Sequence, residues 1–199
     1  MSFRSLVWIA LSGAAASFCQ DAQAQAQPNQ VRDSRDGRYY STVSVGTQIW
    51  FGENLAFDSG GGSRCFPTDP PDCDRGRLYD WPTAMEACPE GWRLPTEADW
   101  RRLEAHLGLG EDQLDERGYR GVDEGLALRP GGASGLNVEL LGYMRPDETP
   151  RRRGERAAYW TATELEAGAT SWHRDVSEDP RIYRSPVDHG YFLSVRCVR

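Results

Sequence analysis

Cysteines, histidines and paired carboxylates are the side chains here that could do chemistry, and their spacing decides which chemistry. Past the first two dozen residues four cysteines remain, Cys65, Cys73, Cys88 and Cys197. A zinc site would need paired Cys-x-x-Cys units or His pairs, and these spacings supply neither. An even count in an exported chain reads instead as two disulfides, for which four cysteines allow three connectivities. Phe66-Pro67-Thr68-Asp69-Pro70-Pro71-Asp72 is rich in turn formers and lets Cys65 and Cys73 fold back on each other. That leaves Cys88 to Cys197, a long loop whose closure stabilises the fold by about 4 to 5 kcal/mol in the chain-entropy model. The histidines, His106, His173 and His189, lack the His-Glu-x-x-His spacing and read as surface or strand residues. There is no Gly-x-Ser-x-Gly elbow. Neither Gly60-Gly61-Gly62 nor Gly131-Gly132 leads into the Gly-Lys-Ser/Thr of a phosphate loop. Glu97 and Asp99 read as helix caps rather than catalytic acids. Asp33-Ser34-Arg35-Asp36-Gly37 lacks the later ligands of a calcium loop and reads as a turn. No catalytic residue, metal ligand or cofactor is assigned.

The elements that must position these groups begin after a leader. Arg4 heads a short apolar stretch, Ser5 to Phe18, followed by Ala22-Gln23-Ala24 and Ala24-Gln25-Ala26. That is the pattern of a signal peptide over 1–26. The apolar run falls short of the roughly 20 residues that span a bilayer, and no later segment is a candidate. Lipid attachment at Cys19 is disfavoured by the bulky Phe18 before it. Residues 27–32 read as a flexible lead-in, and 33–199 as one domain. The formal net charge of −7 argues against a nucleic-acid binder, which carries a basic face. Arg151-Arg152-Arg153 reads as a solvated run. The chain is therefore placed outside the cytoplasm: in a periplasm, on a surface or released.

Alternation over Tyr39–Val45, the Gly46-Thr47 pair and Gln48–Phe51 predict a hairpin with a type II′ turn. Trp81, Ala84, Met85 and Cys88 predict one apolar face on a helix over 80–88, stopped by Pro89. Thr96 with Asp99 three residues on predicts a capping box. The helix it opens has a buried stripe of Trp100, Leu103 and Leu107 and ends at Gly108. Residues 109–158, rich in Gly, Pro and charge, read as a long irregular segment. Strands are predicted over 159–163, 170–176, 181–185 and 191–198, with Leu193, Val195 and Cys197 on one face. The sum is an α+β fold, two short helices packed on small antiparallel sheets.

Several motifs now add up to a resemblance. Asp36-Gly37-x-x-Tyr40, Val43-x-Val45-Gly46-x-Gln48-x-Trp50 and Glu53-Asn54-Leu55 resemble the opening of the Fibrobacter succinogenes major paralogous domain. So do Gly76-Arg77-Leu78-Tyr79-Asp80-Trp81, Ala84-Met85-x-Ala87-Cys88-Pro89-x-Gly91-Trp92-x-Leu94-Pro95-Thr96, Tyr159-Trp160-Thr161-Ala162-Thr163 and Ser194-Val195-Arg196-Cys197-Val198. That family is similar to the C-type-lectin-like fold. The resemblance implies that the first and last strands pair and that a helix cysteine bonds the last strand. The Glu-Pro-Asn, Gln-Pro-Asp and Trp-Asn-Asp signatures of calcium-dependent sugar binding do not occur in the domain. Arg93-Leu94-Pro95-Thr96-Glu97-Ala98-Asp99-Trp100 also resembles a segment of the formylglycine-generating enzymes. Their copper chemistry needs a pair of C-terminal cysteines, and this chain has Cys197 alone.

These observations point to a non-enzymatic recognition or surface module with a protein or glycan partner. The alternative is an oxidoreductase related to the formylglycine-generating group. A ligand face is expected on the long segment and its adjoining strands, with Arg152, Tyr159, Trp172 and Tyr183 as its candidates.

Overall fold

The computed structural model describes residues 29–68 and 70–199. The expected leader and Cys19 lie outside the described residues. The end of the expected lead-in is ordered: Gln30–Arg32 forms strand β1, paired antiparallel with β2 (Tyr39–Val45). A two-residue turn joins β2 to β3 (Gln48–Phe51), and Gly46 alone there takes a positive φ, 59°. That is the type II′ geometry the Gly-Thr pair predicts.

Further along lie β4 (Ser63–Arg64), β5 (Leu78–Tyr79), α1 (Trp81–Ala87), α2 (Glu97–Leu107), β6 (Gly118–Arg120) and α3 (Glu124–Leu128). Then come β7 (Tyr143–Met144), β8 (Pro150–Arg151), β9 (Arg156–Glu166), β10 (Thr170–Ser177), β11 (Ile182–Asp188) and β12 (Leu193–Ser194). The main sheet has seven strands in the order β4-β5-β12-β9-β10-β11-β6, with β12 and β9 parallel and the other pairs antiparallel.

This is an α+β fold, but two expectations need correction. The described residues hold three α-helices rather than two, and the main sheet is large and mixed rather than small and antiparallel. The cause lies in 109–158, which is not simply irregular. Its Gly118–Arg120 adds an edge strand to β11, and its Leu128, Leu136 and Val138 are buried in the core beneath α2. Gly125 lets α3 sit tight on the β10–β11 turn: a Cβ there would lie 2.6 Å from the Arg181 carbonyl oxygen. The stripe on α1 is also different. Ala84 and Ala87 are its buried residues, whereas Met85 is 41% exposed. A two-turn helix packs closely through small side chains, so the alanines take the contact and Met85 faces water.

The C-terminal run closes the domain. Phe51 N–H donates to the Cys197 carbonyl, and Ile49 and Arg199 exchange backbone hydrogen bonds. Val198 bridges both Trp50 and Arg93. The predicted strand over 191–198 is thus a short β12, paired with β5 and β9, followed by a run that pairs with β3; the first strand, β1, pairs with β2 and not with the last. Val195 and Cys197 join a core with Tyr40, Phe51, Tyr79 and Trp160, while Val198 enters a second core with Trp50, Trp100 and Leu103. Both disulfides form with the expected partners. Cys65–Cys73 has a Cα separation of 4.6 Å, and Cys88–Cys197 one of 5.8 Å.

Candidate functional site

Strand β10 sends alternate side chains to opposite faces of the sheet, and the two faces carry different chemistry. Toward α2 go Trp172, Arg174 and Val176. Arg174 is fully buried and donates to both Glu97 and Glu104 of α2, its Nε lying 2.6 Å from Glu104 Oε1. Arg120 Nη2 reaches the same Glu104 oxygen at 2.7 Å, and Arg184 Nε reaches Glu97 Oε2 at 2.8 Å. Burial pushes the Glu97 carboxyl up, but the guanidinium groups of Arg174 and Arg184 outweigh it and hold the acid below its ordinary range. Glu97 is thus more than a helix-terminus charge: it anchors a buried network of two acids and three arginines. Asp99 does act as the cap. It accepts from Thr96 N–H at 2.8 Å while Thr96 Oγ1 accepts from Asp99 N–H. Burial raises its pKa, yet Arg93 and Thr96 bring it down to about 2.

The opposite face of β10 presents Ser171, His173 and Asp175. His173 and Asp175, with residues of β9 and β11, line a cleft of about 190 Å³, whereas Ser171 is fully buried outside it. Register sets its composition, because His173 lies beside Ser185 and Asp175 between Ala158 and Tyr183. Tyr143, ahead of the β7–β8 turn, and Tyr191, just before β12, complete the aromatic lining, and their rings stand 6.2 Å apart. Asp175 is 2% exposed and its Oδ2 accepts from Arg156 Nη1 at 2.7 Å. Its Oδ1 makes no hydrogen bond and lies 3.4 Å from His173 Nε2. His173 is 9% exposed, and its Nδ1 also has no partner. Other buried polar atoms among the described residues, such as Trp50 Nε1 and Glu104 Oε2, also lack a partner, but His173 and Asp175 carry theirs in the lining of a cleft, where a ligand could supply it.

Of the four residues expected on a ligand face, Tyr183 alone lines this cleft, half-buried and packed edge-on to Tyr119 at 5.0 Å. Tyr159 is 1% exposed and has no surface to offer; its hydroxyl donates to Asn54 Oδ1 at 2.8 Å. Trp172 is buried under Arg184, whose Cζ lies 3.5 Å from the ring centroid. Arg152 is exposed and paired with Glu155. In the basic run, Arg153 bonds Asp72 at 2.7 Å, so it is less free than a solvated run implies.

Sequence reasoning missed His173 and Asp175, although their i, i+2 spacing in a strand puts both on one face. It also missed a pair formed by Ser171 Oγ and His189 Nε2, 2.8 Å apart, with His189 stacked on Trp81. That pair resembles a nucleophile and its base, but Ser171 is fully buried and neither residue lines the cleft. Among the described residues, no group of three or more His, Cys, Asp or Glu side chains gathers as a metal site needs, and no helix is long and apolar enough to cross a membrane. No curated protein and no solved structure matches the chain. The family model of the Fibrobacter succinogenes major domain matches residues 43–199, from within β2 to the C-terminal run, and the chain belongs to that family.

Proposed function

We propose that this chain is an exported recognition domain, a binding module rather than an enzyme, with its ligand face at the cleft on β9, β10 and β11. The observation that carries the reading is the pair of buried, unpaired polar atoms on His173 and Asp175 within a lining of three tyrosines. The cleft is smaller than other hollows on the surface, but it combines aromatic rings with a few convergent polar groups, the composition by which binding sites fix a ligand's orientation. Two further features support it. The segment that resembles one of the formylglycine-generating enzymes is occupied with scaffold work here: Leu94 and Trp100 are core, and Arg93, Thr96 and Asp99 close the cap of α2. The four described cysteines are paired, which suits an oxidising compartment and leaves none of them as a free thiolate for copper.

Amide and tyrosine-ring NMR shifts, followed while soluble peptides and glycans are titrated in, test the reading. Shifts clustered on β9–β11 with the ligand recovered unchanged are expected. Chemical turnover of a titrated compound, or binding that maps away from these strands, would overturn it. For export, N-terminal sequencing of protein recovered outside the cytoplasm should read from the residue after Ala24 or Ala26. A chain starting at Met1, or at a lipid-bearing Cys19, would refute that part.

A further inference from the structure

What the cleft lining leaves unpaired restricts the ligand further, on the premise that the cleft is the ligand face. We infer that it takes an uncharged polyhydroxylated ring, the ring of a sugar, held by direct side-chain hydrogen bonds.

Charge comes first. Arg156 and Asp175 pair at 2.7 Å, so the two ions in the lining cancel. An anionic ligand would have to draw Arg156 from a buried carboxylate. A cationic one would compete with Arg156 for that carboxylate and for the Tyr183 ring, 5.6 Å from its Cζ. Neither exchange gains a new pair.

Hydrogen bonding comes second. Asp175 Oδ1 can only accept, whereas His173 Nδ1 donates or accepts according to its tautomer. A hydroxyl does both, so neighbouring ring hydroxyls satisfy the acid and either form of the imidazole. No group of carboxylates able to hold a cation lies among the described residues. Hydroxyls would thus meet the protein itself rather than a bound ion.

Shape comes third. Tyr143 and Tyr191 are half-buried, with planes 38° apart, and offer apolar surface to the C–H faces of a ring. At about 190 Å³ the cleft is smaller than the roughly 300–1,000 Å³ of sites that enclose drug-sized ligands. It suits one ring, free or at the end of a chain. His173 and Asp175 are covered, so an entering hydroxyl has to shift a tyrosine. Tyr191 is the ring placed to give way: it is half-buried, its hydroxyl makes no hydrogen bond to the described residues, and Tyr183 is held by Tyr119 and Arg156.

The test is NMR titration of the whole oxidised protein with free neutral hexoses and their methyl glycosides, alongside the corresponding uronic acids and amino sugars. A neutral sugar is expected to bind with a Kd of about 1 mM, the range reached by a ligand of this size with ordinary efficiency. Shifts should centre on His173 and Asp175. Asp175→Asn is expected to weaken binding by about tenfold, the factor that loss of one shielded hydrogen bond gives. Tyr191→Ala should weaken it several-fold without loss of fold, which keeps the test valid if the Asp175 variant unfolds. Tighter binding of a uronic acid or amino sugar, or unchanged affinity in folded Tyr191→Ala, would overturn the inference. So would the absence of any cleft shift across the panel. If the sugars fail while a peptide binds the same strands, this inference falls and the recognition reading stands.

Discussion

Removing the two disulfides one at a time separates their roles. Cys88–Cys197 spans 109 residues and Cys65–Cys73 spans 8. The loop-closure entropy removed from the unfolded chain is about 2.1 + 1.5R ln n cal/mol/K, which at 25 °C gives about 4.8 kcal/mol for the long loop and about 2.5 kcal/mol for the short one. Packing widens the gap. Cys197 is fully buried among Tyr40, Phe51 and Trp160, so replacing it by alanine also leaves a void, whereas Cys65 and Cys73 are only half-buried. The perturbations are the paired changes Cys88→Ala/Cys197→Ala and Cys65→Ala/Cys73→Ala, which leave no stray thiol. Tryptophan fluorescence in guanidinium reads the cost, because Trp50, Trp92, Trp100 and Trp160 are all buried. At about 2 to 4 °C per kcal/mol for a domain of this length, Tm should fall by about 10 to 20 °C in the first variant and about 5 to 10 °C in the second. Its denaturant slope should also rise more, since the unfolded chain gains more freedom to expand. Equal losses in the two variants, or a larger loss in the short-loop one, would refute the reasoning.

Other outcomes are as specific. Thr96→Ala removes one half of the α2 capping box and should cost about 1 kcal/mol in chemical denaturation. Glu104→Gln strips the charge that faces buried Arg120 and Arg174 and should cost about 3 to 5 kcal/mol, whereas Arg152→Ala, on an exposed pair, should leave the denaturation midpoint essentially unchanged by the same assay. The Asp99 carboxyl is held down to about 2 in the folded protein, below its ordinary 3.8, so its stabilisation is complete above the unfolded value and disappears as pH falls from about 4 through about 2. The loss should reach about 1 to 2 kcal/mol, discounted because Arg93 and Arg102 are half-exposed or more, and acid titration of Asp99→Asn should lack this component. A chain ending before Leu193 should lose its cooperative thermal transition in calorimetry, since it lacks β12 and the run that joins the hairpin to the main sheet.

Local chemistry was legible where it determined local structure. The Gly46-Thr47 hairpin, the Thr96–Asp99 cap, the stop at Gly108 and both disulfides each depend on residues whose own types require them. Segment 109–158 was not, because its elements are secured by distant partners: Gly118–Arg120 extends only against β11, and Leu136 and Val138 are ordered by the core beneath α2. The site was obscured for a related reason. Aromatics in strands attract attention, yet Tyr159 and Trp172 occupy the α2-facing side of the sheet, and their side is settled by register rather than residue type. His173 and Asp175 become neighbours of Tyr183 and Arg156 only once β9, β10 and β11 are aligned.

Val198 bridges Trp50 on one side and Arg93 on the other, and the run before it holds the Cys197 half of the long disulfide. A polypeptide emerging amino end first therefore cannot complete either hydrophobic core until its last few residues are available. The contacts that would trap it early are long-range, and such contacts form slowly because a large loop must close before they contribute. Such a chain stays threadable while it is being made. On the export reading proposed above, that delay is an advantage, because an exported chain passes a membrane channel unfolded and meets its oxidant on the far side. The closing stitch of the fold thereby doubles as a timer for assembly.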